Sequence, residues 1–292
     1  MTKKSILTSL LVPTLASLCV GFVNVTPKVI YGDDNRADVY EIQDPVVREV
    51  ANSTVAIIHK KFLKPDGQGR YIFTSTRFGR SQDMCSEEPY YNQPDAAVCS
   101  GSLVGEDLIA TAGHCVNHST CKNYYYVFGY QMTDSKTAPE SFAAEEIYTC
   151  KGIVAREYTN DEDFALLRLN RKVPNHRPLT LQRAPAQEGD EVYVVGHPSG
   201  LPTKVAGGAT VREQEGRYFS ANLDSYGGNS GSAVLNARTH EVVGILVRGS
   251  QDFKYDQARM CYRSNVCDND GCGGEDVTNI SYIADALNQT TR

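Results

Sequence analysis

The stretch Cys99-Ser100-Gly101-Ser102-Leu103-Val104-Gly105-Glu106-Asp107-Leu108-Ile109-Ala110-Thr111-Ala112-Gly113-His114-Cys115 decides how this chain is read. Ser102–Val104 and Leu108–Thr111 are short β-rich runs, and Gly105-Glu106-Asp107 between them has turn composition. The same grammar continues outward. Thr54–Ile58 precedes the stretch, and Phe164–Leu169, Glu191–Gly196, Ala209–Arg212 and Tyr218–Leu223 follow it. Ser232–Leu235 and Glu241–Val247 form a last pair around Asn236–His240. Many short strands without intervening amphipathic helices predict an all-β sandwich or barrel. Only the tail, Ile280–Leu287, has a helical pattern. Lys61–Ala97 and Ser250–Asp276 are turn-rich, cysteine-bearing and poor in apolar residues, which predicts surface insertions rather than domains with their own cores.

Composition narrows the function classes. The 292 residues include 41% hydrophobic and 22% charged residues, which excludes disorder, collagen-like repeats and coiled coil. Such a length fits one large domain or two compact ones sharing a core. With 29 basic and 35 acidic residues the net charge is −6. No strongly basic face is required, so neither a nucleic-acid nor an anionic-membrane partner is expected.

Lys3 and Lys4 followed by the apolar run Ile6 to Val23, with Pro13 and Ala16-Ser17 inside it, read as a secretory signal over residues 1–24. The competing reading is an uncleaved anchor. Leu15-Ala16-Ser17-Leu18-Cys19 is a poor lipoprotein site because Leu18 stands where a small residue is needed. Residues 25–50 form a polar N-terminal segment, part of it a candidate pro-segment, and residues 51–292 the folded domain. Removing the signal removes Cys19 and leaves Cys85, Cys99, Cys115, Cys121, Cys150, Cys261, Cys267 and Cys272. An even count behind an export signal predicts disulfides in an oxidising compartment, hence a secreted or periplasmic protein. Zinc is the weaker alternative, because the Cys267/Cys272 spacing lacks a second pair nearby.

Three segments carry the chemistry: Thr111–Cys115 with His114, Asp163–Leu169 opening on a carboxylate, and Gly227-Gly228-Asn229-Ser230-Gly231-Ser232. A serine hydroxyl is a poor nucleophile near neutral pH and needs a base, for which imidazole has the suitable pKa. A carboxylate then holds the imidazole in one tautomer. Glycines beside the serine let backbone N–H groups turn toward a developing oxyanion. Asp161 and Glu162 compete for the carboxylate role, but Asp163 alone leads directly into the apolar strand. Singly, each segment reads more simply as a structural His, a strand cap and a hairpin turn.

Together, in the order His, Asp, Ser, they resemble the chymotrypsin-like serine proteases. The order and the spacing around Ser230 both differ from the Gly-x-Ser-x-Gly elbow of α/β-hydrolases. The likeness covers roughly Thr54 to Leu287. It implies an all-β fold of two packed six-stranded antiparallel barrels with a short C-terminal helix, and a Cys99–Cys115 disulfide. It also implies Gly228 and Ser230 as the oxyanion hole, and Gly244–Gly249 as the strand flanking the substrate. Asn229 stands where animal members carry Asp, and Gly228–Ser232 is similar to the bacterial branch that includes glutamyl endopeptidases. Val29–Arg36 resembles the mature start of that branch.

The implied activity is a secreted serine endopeptidase, a monomer acting on protein or peptide substrates without cofactor or metal. By count back from Ser230, Asp224 falls where the resemblance implies the carboxylate at the base of the primary pocket, with Asp276 and Gly249 near it, which favours cleavage after Arg or Lys. The other reading of Asp224 is a cap of its own loop. Glutamyl specificity is an alternative, opposed by Leu246 where that branch places a His and favoured only by Arg248. A silent adhesion or scaffold protein, or an esterase or acyltransferase on the same fold, are the remaining alternatives. Asp268-Asn269-Asp270-Gly271 lacks the other ligands of a calcium loop and reads as a turn. Tyr124-Tyr125-Tyr126 reads as strand packing, and His197 as a loop residue without an evident partner. The Asn52, Asn117, Asn279 and Asn288 sequons carry no weight in a bacterial export route.

Overall fold

The computed structural model describes residues 29–290, so the signal expected over residues 1–24 lies outside the described residues. Two antiparallel barrels account for most strands. In the first, Tyr124–Val127, Ile147–Tyr158, Asp163–Leu169, Leu108–Thr111, Ala97–Gly105 and Thr54–His59 form a closed ring. In the second, the order is Glu191–Gly196, Ala233–Asn236, Val242–Arg248, Glu275–Asn279, Tyr218–Ala221 and Lys204–Glu215. The pairing of Glu191–Gly196 with Lys204–Glu215 closes this ring too, and Arg36–Asp38 adds to its outside along residues 204–206. Closure leaves no unpaired ladder edge inside either ring.

Alternation along the strands builds the cores. Val192 and Val194 point into the second barrel, whereas Tyr193 and Val195 join a larger core that also holds Val55, Ile57, Leu103 and Leu167 of the first. One strand thus fills its own barrel with one face and welds the two barrels with the other. The middle of Thr54–His59, Val55–Ile58, is apolar without alternation because both its faces are covered. Val55 and Ile57 enter the barrel core, while Ala56 and Ile58 pack under the sheet made by Leu63–Pro65, Arg70–Phe73 and Ser141–Ala143. Burial of each such aliphatic side chain stabilises the fold by about 1.5–3 kcal/mol.

The two insertions meet in a small cluster in which their Phe78, Met84 and Phe253 pack with Ile30, Leu201 and Tyr226 from outside them, and Cys85–Cys261 joins them. The remaining bridges are Cys99–Cys115, Cys121–Cys150 and Cys267–Cys272. Two features differ from the sequence expectation. Beside the C-terminal helix, the single turn Phe78–Ser81 and the longer Pro45–Asn52 are also helical, the latter started by the Asp44 carboxylate on the Val46 N–H and by Pro45 in the first turn. Its single apolar stripe, ending in Val50 and Ala51, was too short to register as a pattern. The long strand Ile147–Tyr158 is also absent from the sequence expectation, because its half-buried second half carries no alternation. The C-terminal helix spans Ser281–Thr290 and anchors through Ile283 in the shared core.

Candidate active site

Strand Leu108–Thr111 ends at the rim of the first barrel, and the turn Ala112–Cys115 presents His114. Position 113 must be glycine, since a Cβ there would lie 1.9 Å from the Glu157 carbonyl. Arg156 Nε grips the same turn, donating to the carbonyls of Gly113 at 2.8 Å and Val116 at 2.7 Å. The Cys99–Cys115 disulfide ties it to the strand Ala97–Gly105. Asp163–Leu169 pairs with Leu108–Thr111 through Ala165 and Thr111, so its first residue falls beside the His turn. Asp163 is 6% exposed. Its Oδ2 lies 2.7 Å from His114 Nδ1, and its Oδ1 accepts the His114 backbone N–H at 3.0 Å. A carboxylate on Nδ1 holds the proton there and leaves the lone pair on Nε2. The rival carboxylates are elsewhere: Glu162 pairs with Arg217, and Asp161 sits in an exposed turn closed by Thr159.

Ser230 comes from the second barrel, on the turn between Tyr218–Ala221 and Ala233–Asn236. Its carbonyl accepts the Ser100 N–H at 2.9 Å and lies 3.5 Å from Cys115 Sγ, the residue next to His114. Its hydroxyl points to the Val247 carbonyl, 3.4 Å away, rather than to His114. Gly228 has φ of +90°, and a Cβ on it would approach His197 O at 2.8 Å and Gly200 N at 2.9 Å. Ser100 Oγ fixes this peptide, donating to Gly228 O at 2.9 Å while accepting the His197 N–H at 2.9 Å. Among the described residues neither the Gly228 nor the Ser230 N–H donates a hydrogen bond.

His197 corrects the reading of it as partnerless. It is fully buried, its Nδ1 lies 3.0 Å from Leu201 O, and its ring stacks on Tyr130. Burial lowers its pKa to about 3, so it is a neutral packing residue.

The pocket carboxylates are engaged. Asp224 is buried, and its two oxygens accept the N–H groups of Tyr31 and Asn35, each at 2.7 Å. Burial raises its pKa to about 6, with those two amides pulling the other way. Asp276 accepts from Arg248 Nε at 2.6 Å, and Arg248 Nη1 also donates to Asn160 O at 3.2 Å. Burial raises Asp276, and Arg248 opposes it. Gly249 faces Glu275, whose carboxylate would lie 2.1–2.2 Å from a Cβ at 249. Glu275 is completely buried, with Oε1 3.3 Å from Ser250 N and 3.5 Å from Tyr31 OH. Sequence reasoning passed over Glu275, whose only signal was its place beside Asp276, and it read residues 29–36 as a mature start by resemblance without placing them against Asp224.

The sulfurs of Cys99 and Cys115 gather with a His114 nitrogen within 4.8 Å. They are joined to each other in the disulfide, which removes the thiolates a metal would need.

Residues 99–245 match the trypsin-like peptidase domain. The chain belongs to that family. Curated relatives include two snake venom serine proteases. BthaTL of Bothrops alternatus is 29% identical over 114 residues, 38% of this chain and 47% of that protein. Catroxase-1 of Crotalus atrox is 30% identical over 115 residues, 38% of this chain and 42% of that protein. The chain thus spans less than half the length of the curated relatives it matches. A solved Glu endopeptidase in complex with MPD superposes with TM-score 0.52 at 16% identity, over 90% of this chain and 99% of that one. That likeness speaks to the fold, which for this trypsin-like domain is the double barrel. No helix of this trypsin-like domain, among the described residues, is long and apolar enough to cross a membrane.

Proposed function

We propose that the protein is an exported serine endopeptidase in which Ser230 is the nucleophile, His114 the general base and Asp163 the orienting carboxylate. The observation that carries this reading is the Asp163–His114 pair, which aligns the imidazole through both ring and backbone next to the Ser230 turn. In the proposed reaction the Ser230 hydroxyl rotates from Val247 and attacks the scissile carbonyl while His114 Nε2 takes its proton. The proton then passes to the leaving amine as the C–N bond breaks. Water, deprotonated by His114, releases the acyl group and restores the serine. The unengaged N–H groups of Gly228 and Ser230 receive the oxyanion, each worth about 2.7–4 kcal/mol of barrier.

The pocket reading is cleavage after Arg or Lys. In this reading Asp224, Asp276 and Gly249 form the pocket, and the buried Glu275 carboxylate against Gly249 supports a cationic side chain there. Arg248, the feature that favoured an acidic substrate, is bonded to Asp276.

A serine-directed phosphonylating reagent should label Ser230 once and stop cleavage of a peptide mixture. Retained cleavage by Ser230→Ala defeats the reading. Cuts after Glu or Phe in the same mixture overturn the pocket and leave the reaction class standing.

A further inference from the structure

We propose that Arg36 is a positioning residue for the Ser230 turn, acting through Tyr226; this rests on the reading of Ser230 as nucleophile. Residues 29–36 lie along the loop that leads into that turn. The Ser225 N–H donates to Val29 O at 3.1 Å, and Asp224 holds the N–H groups of Tyr31 and Asn35. Arg36 completes the contact. Its guanidinium is buried, forked onto Asp34 at 2.8 and 2.7 Å, and its Nη2 also donates to Tyr226 OH at 3.0 Å. The same group lies 4.0 Å from the Tyr226 ring centroid and 5.3 Å from that of Tyr90.

Tyr226 transmits this to the turn. Its ring is wedged against Phe253, its hydroxyl meets Ser264 Oγ at 2.5 Å, and its carbonyl accepts the Asn229 N–H at 3.1 Å. That last bond closes the turn that contains Gly228 and runs directly into Ser230. Asn229 itself is neutral and bonds only within the loop region, to Ser225 Oγ and Ser232 Oγ. Two fixed charges therefore tie the turn to its surroundings: Asp252, which accepts the Gly227 N–H at 3.0 Å, and Arg36, which reaches Tyr226 from the strand Arg36–Asp38. A planar five-donor fork serves Asp34 and Tyr226 together while stacking on both rings, which an ammonium cannot do.

Amide hydrogen exchange on the full chain tests this with Arg36→Lys and Tyr226→Phe, two substitutions that keep volume. Exchange in residues 223–231 should rise at least about tenfold in both, while Leu103–Ala110 and Asp163–Leu169 stay as in wild type. On a peptide substrate kcat should fall about tenfold or more with KM within about twofold. Affinity for a peptide aldehyde, which forms a tetrahedral adduct on Ser230, should fall with kcat while that for the matching product peptide stays level. Unchanged exchange at 223–231 in either folded variant overturns the proposal. So does loosening spread evenly over both barrels with kcat following the unfolded fraction. A wild type that cleaves nothing and leaves Ser230 unlabelled would remove the endopeptidase reading, and the exchange comparison would still decide the role of Arg36.

Discussion

The two sides of the cleft are held by different means. His114 and Asp163 sit on the rim of the first barrel. There neighbouring strands, a disulfide at Cys115 and the Arg156 grip hold a turn that is already close in sequence to its own strand. Ser230 sits on a turn of the second barrel that contains no cysteine of its own, although its carbonyl lies 3.5 Å from Cys115 Sγ. It is held by Ser100 from the other barrel and, through Tyr226 and Asp224, by residues 29–36 from almost two hundred positions upstream. One half of the site is fastened locally and covalently. The other depends on buried polar contacts of long sequence separation, which must all form before the turn is ordered.

The comparison breaks first at the chemistry itself. Asp163→Asn should lower kcat about 10⁴-fold by freeing the wrong imidazole tautomer, read from initial rates on a cleavable peptide. A small loss there would mean that the fastened half does not carry the reaction. Next in size is the buried pair beside residues 29–36. Lys204 Nζ lies 2.5 Å from Asp38 and 2.7 Å from Gln93. Lys204→Met should cost about 3–5 kcal/mol in urea unfolding, and adding Asp38→Leu should restore most of it. If the double variant were as unstable as the single, packing rather than an orphaned charge would be responsible.

On the covalent side, Cys99→Ala with Cys115→Ala opens a bridge of sequence separation 16. It should destabilise the protein by about 3 kcal/mol in the same measurement. No such loss would show that the strand ladder alone fastens the His turn.

The smallest effects are in pH dependence, and they have opposite signs. His197 has its folded pKa depressed to about 3 by burial, against about 6.5 when unfolded. Between those values the unfolded chain binds the extra proton, so stability rises with pH. Asp224 is raised from 3.8 to about 6 by burial, so between those values the folded chain holds the extra proton and stability falls as pH rises. Each slope approaches about 1.4 kcal/mol per pH unit at most. Thermal unfolding between pH 4 and 6 should therefore show a steeper rise in Asp224→Asn than in wild type, and a flatter or falling curve in His197→Gln. Parallel curves for all three proteins would remove both groups from the balance.

Much of this was legible in the chain. The β-rich runs, the glycine-flanked serine and the carboxylate opening an apolar strand are local patterns, and a local pattern is what a sequence window can hold. The helix Pro45–Asn52 was missed because its apolar stripe is short, and Ile147–Tyr158 because its half-buried second half shows no alternation. His197 and Glu275 were missed for another reason. A buried polar residue looks like a surface one until its partners, Leu201 and Tyr130 for the first, Gly249 and Ser250 for the second, are brought around it.

The amino-acid sequence by itself determined most of the barrel strands, the closing turns, the even set of cysteines behind residues 1–24, the three reactive side-chain types and the choice of Asp163 among its neighbours, because each follows from residues a few positions apart. Tertiary structure alone decided how Asp163 meets His114, which residues hold Asp224 and Asp276, and that residues 29–36 lie against the serine turn. Those outcomes depend on ring closure of two barrels and on burial, and both are properties of residues distant in the chain that become neighbours only when the whole core packs.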